Sequence, residues 1–307
     1  VTPTEEAILR TLLYADVFNF PMTLREIHHF LIADYPIPLD QIAHTLEHSE
    51  SLRAAVVHID GLYCCASREA IIATRHAREQ ASASLWGQAL RYGLWLARLP
   101  FVRMVALTGA LAMRNAASLN DDLDYVLVTA PGRVWIARGF AVLLVKLVKR
   151  RGVVLCPNYV VSVTALEQER QDLFIAHEVV QMVPIYGLDV YAALRDCNRW
   201  VAAHMPNAAA AFRMGDKREI GRGWGILKWG LELLLSGTLG DRLEVWEQRR
   251  KQRKLAPGLQ TPHHAAKLDA EQVKGHFNDH GHPVLQQYRE RLRRLHLEDA
   301  TLPLAGD

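Results

Sequence analysis

Residues 107–129 read LTGALAMRNAASLNDDLDYVLVT, and this stretch restricts the fold more than any other. Its end, LDYVLVT, is mostly β-branched, aromatic or leucine, which predicts a strand. Successive side chains on a strand point to opposite faces. Asp122 and Asp124 therefore project together, while Leu123, Tyr125 and Leu127 turn into a core. Two neighbouring carboxylates repel each other unless a cation lies between them. Gly109 follows the apolar run VRMVAL and marks a backbone turn with no side chain to obstruct a ligand. A helix starting there favours negative charge at its N-terminus. Strand, Gly turn, short helix, loop and strand thus predict a place for a cation and an anion together. Paired carboxylates suit Mg²⁺, which takes one or two of them and completes its shell with substrate phosphates and water.

The arrangement Gly109-Ala110, eleven residues, then Asp122-Leu123-Asp124-Tyr125 resembles the signature of the DNA polymerase beta-type nucleotidyltransferase superfamily. The resemblance spans residues 101–166. It implies a Mg²⁺-dependent enzyme that moves a nucleoside monophosphate from an NTP to a hydroxyl acceptor, with pyrophosphate leaving. It implies that Asp122 and Asp124 ligate the metal and that Gly109 and Ala110 shape the phosphate turn. Arg114 and Asn115 follow the turn and are candidates for phosphate or base contact, a solvated surface being the other reading.

Two departures from the pattern matter. Ala110 stands where a Ser would offer a hydroxyl to a phosphate. The next strand, NYVVSVT, carries no acidic residue, although many active members have a third carboxylate there. Strict alternation puts Asn158, Val160, Ser162 and Thr164 on one face, and none of them is a base at neutral pH. Glu178 is then the expected substitute, reaching in from the following helix, with His177 as a second candidate. The alternative is a non-catalytic member of the fold that binds or regulates.

The fold class expected is α+β in three parts. Residues 1–66 read as three helices and a hairpin with a turn at Asp60-Gly61, a winged-helix-like domain. Thr4 and Thr23 are the expected helix caps. Residues 67–187 read as the nucleotidyltransferase-type α/β domain. It begins with two helices meeting near Ser82–Ser84 and includes a helix over 165–182 that Pro184 and Gly187 stop. Residues 188–307 read as a helical domain, including a last helix or two over 270–295.

Charge separates these parts. Residues 1–66 hold 3 basic and 9 acidic side chains, and residues 67–166 hold 13 and 5. The positive block surrounds the Asp pair and attracts polyanions such as nucleoside triphosphates or RNA. The acidic first block, with Asp40, Glu47 and Glu50 on its would-be recognition helix, makes duplex DNA an unexpected partner. The acceptor stays open among small molecules, proteins and RNA.

Other features carry weaker signals. The four cysteines have no zinc or redox spacing and read as reduced thiols in a cytoplasmic protein. No apolar run is long enough to span a bilayer. The segment WGILKWGLELLL, with Trp224 and Trp229, reads as a packed core helix, the alternative being a helix on a membrane surface. The run QRRKQRK reads as a solvated helix end rather than an RNA contact. The segment holding His276, Asp279, His280 and His282 reads as a hydrogen-bonded tail motif rather than a metal site.

Overall fold

Thr2 opens the first helix, because its hydroxyl accepts from the Glu5 N–H while the Glu5 carboxylate accepts from the Thr2 N–H. The cap is thus Thr2 and not Thr4, which is buried inside the first turn. The computed structural model describes residues 1–215, 219–255, 267–274 and 280–297. It is a mixed α and β structure with two sheets.

The first part holds α1 (Pro3–Val17), β1 (Met22–Thr23), α2 (Leu24–His29), α3 (Leu39–His48), α4 (Glu50–Ala55), β2 (Val56–Ile59) and β3 (Leu62–Cys65). Thr23 caps α2 through a reciprocal pair with Glu26, as expected. The third of the three helices expected is α3, and a fourth, α4, follows it, because Ser49 ends α3 and caps α4 through the Leu52 N–H. Asp60 and Gly61 both have positive φ, as a tight hairpin turn requires. The three strands pair in the order β1-β3-β2.

A single helix follows, α5 (Ile71–Ala97), without the expected break at Ser82–Ser84. Both serines are satisfied inside the helix. Ser82 Oγ accepts from the Ala116 N–H at 3.0 Å, and Ser84 donates to the Gln80 carbonyl at 3.0 Å. Then come β4 (Val102–Leu107), α6 (Gly109–Ala112), β5 (Leu123–Thr129), α7 (Val134–Lys149), β6 (Leu155–Ser162), α8 (Leu173–Val180) and β7 (Val183–Tyr186). The chain continues through α9 (Leu188–Cys197), a 3₁₀ turn (Arg199–Ala203), α10 (Arg222–Leu234), α11 (Thr238–Leu255), β8 (Lys267–Leu268), β9 (Gln272–Lys274) and α12 (Gly281–Arg294).

The large sheet has the order β7-β4-β5-β6-β9-β8. Only β5 and β6 are parallel, and α7 makes the crossover between them that parallel strands require. Its two faces bury different layers. Val105, Leu107, Tyr125, Leu127 and Val160 pack with α5 and α7. Met104, Ala106, Val126, Val128 and Val161 pack with α1, α8 and α12.

Three expectations fail here. The helix over 165–182 is only α8, because the Asp172 carboxylate accepts from the Ile175 N–H and caps it late. Pro184 does not merely stop a helix. It sits in β7, an edge strand of the sheet, where a residue without an N–H is tolerated. The segment read as helical beyond residue 188 contributes β8 and β9 to the central sheet.

Candidate active site

The β4–β5 pair brings the Gly109 turn against the start of β5. The Thr108 N–H donates to the Asp124 carbonyl at 2.9 Å. Gly109 has φ +67°, and a Cβ there would run into the Asp124 carboxylate. The glycine is therefore required twice, for its backbone conformation and for the space beside the acid. Leu123, Tyr125 and Leu127 are fully buried on the opposite face, as alternation dictates.

Asp122 and Asp124 both line a cavity of about 370 Å³, together with Thr108, Gly109, Asn158 and Glu178. Arg170, Lys274 and His280 line it too. Asp122 is exposed, and the Cys156 thiol donates to it at 3.4 Å. Burial, with the Asp122 charge adding to it, pushes the Cys156 thiol up to about 12. Asp124 is half-buried and its carboxyl is pushed up to about 7. Burial is the main cause, with the charges of Asp122 and Glu178 adding to it. A hydrogen bond donated by Asn158 Nδ2 opposes the rise.

That hydrogen bond corrects the reading of the third strand. The pairing of β5 with β6 shifts after Tyr125, which lies opposite Pro157, to Val126, which lies opposite Tyr159. Asn158 is the extra residue, a bulge, and the alternation slips by one across it. Val160 therefore faces the layer of Tyr125, while Tyr159 and Val161 face the layer of Val126. Ser162 does not share the Asp124 face near the site. It is fully buried opposite Thr129, at the far end of the strand, and bonds with Thr164. The β6 side chain standing beside Asp124 is Asn158.

Glu178 reaches the same cavity from α8. Burial raises its pKa, and Lys274 partly offsets the rise. His177 turns elsewhere. Its ring stacks on Tyr14 at 3.8 Å, and its Nδ1–H donates to the Leu173 carbonyl at 2.9 Å. Burial holds it down to about 4, so it is a neutral core imidazole at neutral pH. It lines a second, more apolar cavity of about 440 Å³ with Tyr14, Phe18, Phe20, Phe30 and Met113. Gly109, Phe174, Glu178 and His280 border both cavities.

Ala110 and Asn115 line this second cavity rather than the one that holds the Asp pair. The Asn115 amide oxygen accepts from Arg78 at 3.2 Å. Arg114 lines neither cavity, and its guanidinium lies 4.2 Å from the centre of the Trp86 ring. Lys274 and Arg170 escaped the sequence reading. Lys274 lies in a three-residue strand within a stretch that looked helical, and only pairing with β6 brings it beside Tyr159. His276 and Asp279 lie outside the described residues.

Among the described residues, no three His, Cys, Asp or Glu side chains form a ready-made metal cage. Mg²⁺ does not need one, since two carboxylates suffice where phosphates supply further oxygens. The Asp pair fits that requirement. It opens to a cavity, and burial beside the charges of Asp122 and Glu178 raises the Asp124 carboxyl, a position where a cation would be favoured. Comparison with known proteins returned no matching family model, no matching curated protein and no matching solved structure.

Proposed function

We propose that the chain is a Mg²⁺-dependent nucleotidyltransferase that moves a nucleoside monophosphate from an NTP to a hydroxyl acceptor. The observation that carries this reading is the convergence of Asp122, Asp124 and Glu178 on one cavity bordered by the Gly109 turn. In this reading Asp122 and Asp124 hold the metal, which when bound neutralises the triphosphate and activates the acceptor hydroxyl. Gly109 gives the phosphates access to backbone N–H groups. Lys274 and Arg170 supply positive charge on the cavity wall. Glu178, whose raised pKa makes it a better base than an exposed carboxylate, takes the acceptor proton. The adjoining apolar cavity, bordered by the same Glu178, receives the acceptor.

The finer architecture belongs to the same proposal. The β4–Gly turn–β5–α7–β6 order supports a nucleotidyltransferase-type central domain. The α1–α4 helices with the β1-β3-β2 sheet support a winged-helix-like first part. Exposed Asp40, Glu47 and Glu50 on and beside α3 weigh against duplex DNA as its partner.

One observation favours a second reading, a binding or regulatory protein without transferase activity. Asn158 stands beside Asp124, where a third acid would complete the metal site. Two experiments separate the readings. Calorimetry with MgATP and MgGTP is expected to find binding in the parent chain and none in Asp122→Ala or Asp124→Ala. Unchanged affinity in both variants removes the site. Labelled NTPs are then followed into acceptors in a cell lysate. Label transferred by the parent, and lost in Glu178→Gln, supports the enzyme. Label transferred only by Asn158→Asp supports the non-catalytic reading.

A further inference from the structure

Helix α10 is built inside out. A helix on a soluble core turns its apolar side inward and its charges to water. Here Lys228 is the inward residue, only 6% exposed. Its ammonium donates to the carbonyls of Ala97 at 2.8 Å and Val102 at 2.5 Å. Glu232, one turn on, is also directed at the body of the protein. It accepts from the Phe101 N–H at 2.7 Å and from both terminal nitrogens of Arg103 at 2.8 Å. These bonds fix which side of the helix faces the protein. The other side carries Ile226, Leu227, Trp229, Leu233 and Leu234, all exposed, with Ile226 at 70% and Trp229 at 65%. The reading of this segment as a packed core helix is therefore overturned.

Helix α11 follows α10 after a short connection and adds charge. Its inward side chains Glu244 and Glu247 are buried, and Glu244 caps α7 through the N–H groups of Trp135 and Ile136. Its outward side carries Arg242, Val245, Trp246, Arg249, Arg250 and Arg253, which line one shallow groove. Helix α7, which packs against α11, exposes Leu143 and Leu147 between Lys146, Lys149 and Arg150. Of these helices, α7 packs on the sheet layer of Leu107, Tyr125 and Leu127, opposite the Asp pair.

We propose that α10 and α11 dock the protein on the surface of an anionic lipid bilayer, with the α10 apolar face in the headgroup–acyl boundary and the α11 arginines among the lipid phosphates. Tryptophan and leucine on one surface, with arginine beside them, match that interface in both hydrophobicity and charge. Charge also decides against the simplest protein partner. A second copy set face to face would oppose arginines to arginines, whereas anionic lipid complements them. No described helix is long and apolar enough to cross a bilayer, so the contact is interfacial.

The test is sedimentation of the full chain with vesicles of phosphatidylcholine alone or mixed with phosphatidylglycerol. The chain is expected in the pellet with mixed vesicles, less so as salt rises, and in the supernatant with phosphatidylcholine. Trp229→Ser with Leu233→Ser should lower the partition coefficient at least about tenfold. Arg242→Gln, Arg249→Gln and Arg253→Gln together should lower it about a hundredfold. All substituted residues are exposed, and circular dichroism checks that helix content is kept. Equal partition of parent and variants, or no preference for the anionic lipid, overturns the proposal. So does sedimentation equilibrium that finds a dimer which Trp229→Ser with Leu233→Ser converts to monomer, since the face is then a self-interface.

Discussion

At the scale of single residues, two neighbours on α8 take opposite roles because of where their side chains turn. Glu178 reaches the Asp122–Asp124 cavity, and His177 enters the core against Tyr14. The histidine makes a pH prediction. Burial lowers its folded pKa to about 4, from an ordinary value near 6.5. The unfolded chain therefore binds the extra proton first. The stability this neutral ring contributes is complete above its ordinary pKa and is lost as pH falls towards the folded value. His29 is lowered to about 4 as well, again chiefly by burial, and adds in the same window. Urea unfolding between about pH 7 and pH 4 should lose stability on the order of a few kcal/mol to these two groups. His177→Phe keeps the ring stack, forgoes the Leu173 bond at a cost of about 1 kcal/mol, and should flatten this pH dependence. An equally steep profile in the variant would rule out His177 as a source. The Asp pair was legible because alternation on one strand is a local rule. Which of Asn158 and Ser162 meets Asp124 was not, because a one-residue bulge in β6 becomes visible only when its pairing with β5 is known.

At the scale of elements, the well-read parts are those whose signals lie within a few residues. Thr23 with Glu26, the Asp60-Gly61 turn and the apolar run of β5 each carry their own instruction. The misread parts are those whose hydrogen bonds go elsewhere. Strand β7 contains a proline and reads as a helix stop, but β4 supplies its partner. Strand β9 has three residues and exists by pairing with β6. The joint between β7 and α9 offers a sharp check. Gly187 has φ +74°, and a Cβ there would collide with the Arg103 backbone. Gly187→Ala should cost roughly 2–4 kcal/mol, from left-handed strain plus a backbone clash that no rotamer relieves. A thermal unfolding midpoint within a degree or two of the parent would mean that β4 and α9 separate easily.

At the scale of the whole molecule, buried charge ties the first 66 residues to the rest. Glu26 is 1% exposed, and its carboxylate accepts from Arg75 at 3.0 Å and from Arg213 at 3.1 Å while also capping α2. Asp16 on α1 binds Arg68 at 2.6 Å and Arg291 of α12 at 2.8 Å. Apolar packing runs without a gap from Ile8 and Phe30 to Val126 and Tyr288. Glu26→Ala leaves two arginines facing each other without their acid and should destabilise the whole chain by about 3–5 kcal/mol. Denaturant unfolding followed by tryptophan fluorescence measures the loss. An unchanged midpoint would mean that the arginines find other partners. By itself the sequence determined the Asp122–Leu123–Asp124 strand, its Gly109 turn, the caps at Thr23 and the hairpin, because each depends on neighbours along the chain. Tertiary structure alone decided that Asn158 rather than Ser162 meets Asp124, that Lys274 joins the cavity, and that α10 buries its lysine and exposes its tryptophans. Those outcomes depend on which distant backbone carbonyl, strand edge or carboxylate lies opposite, and the periodicity of a segment holds no information about that.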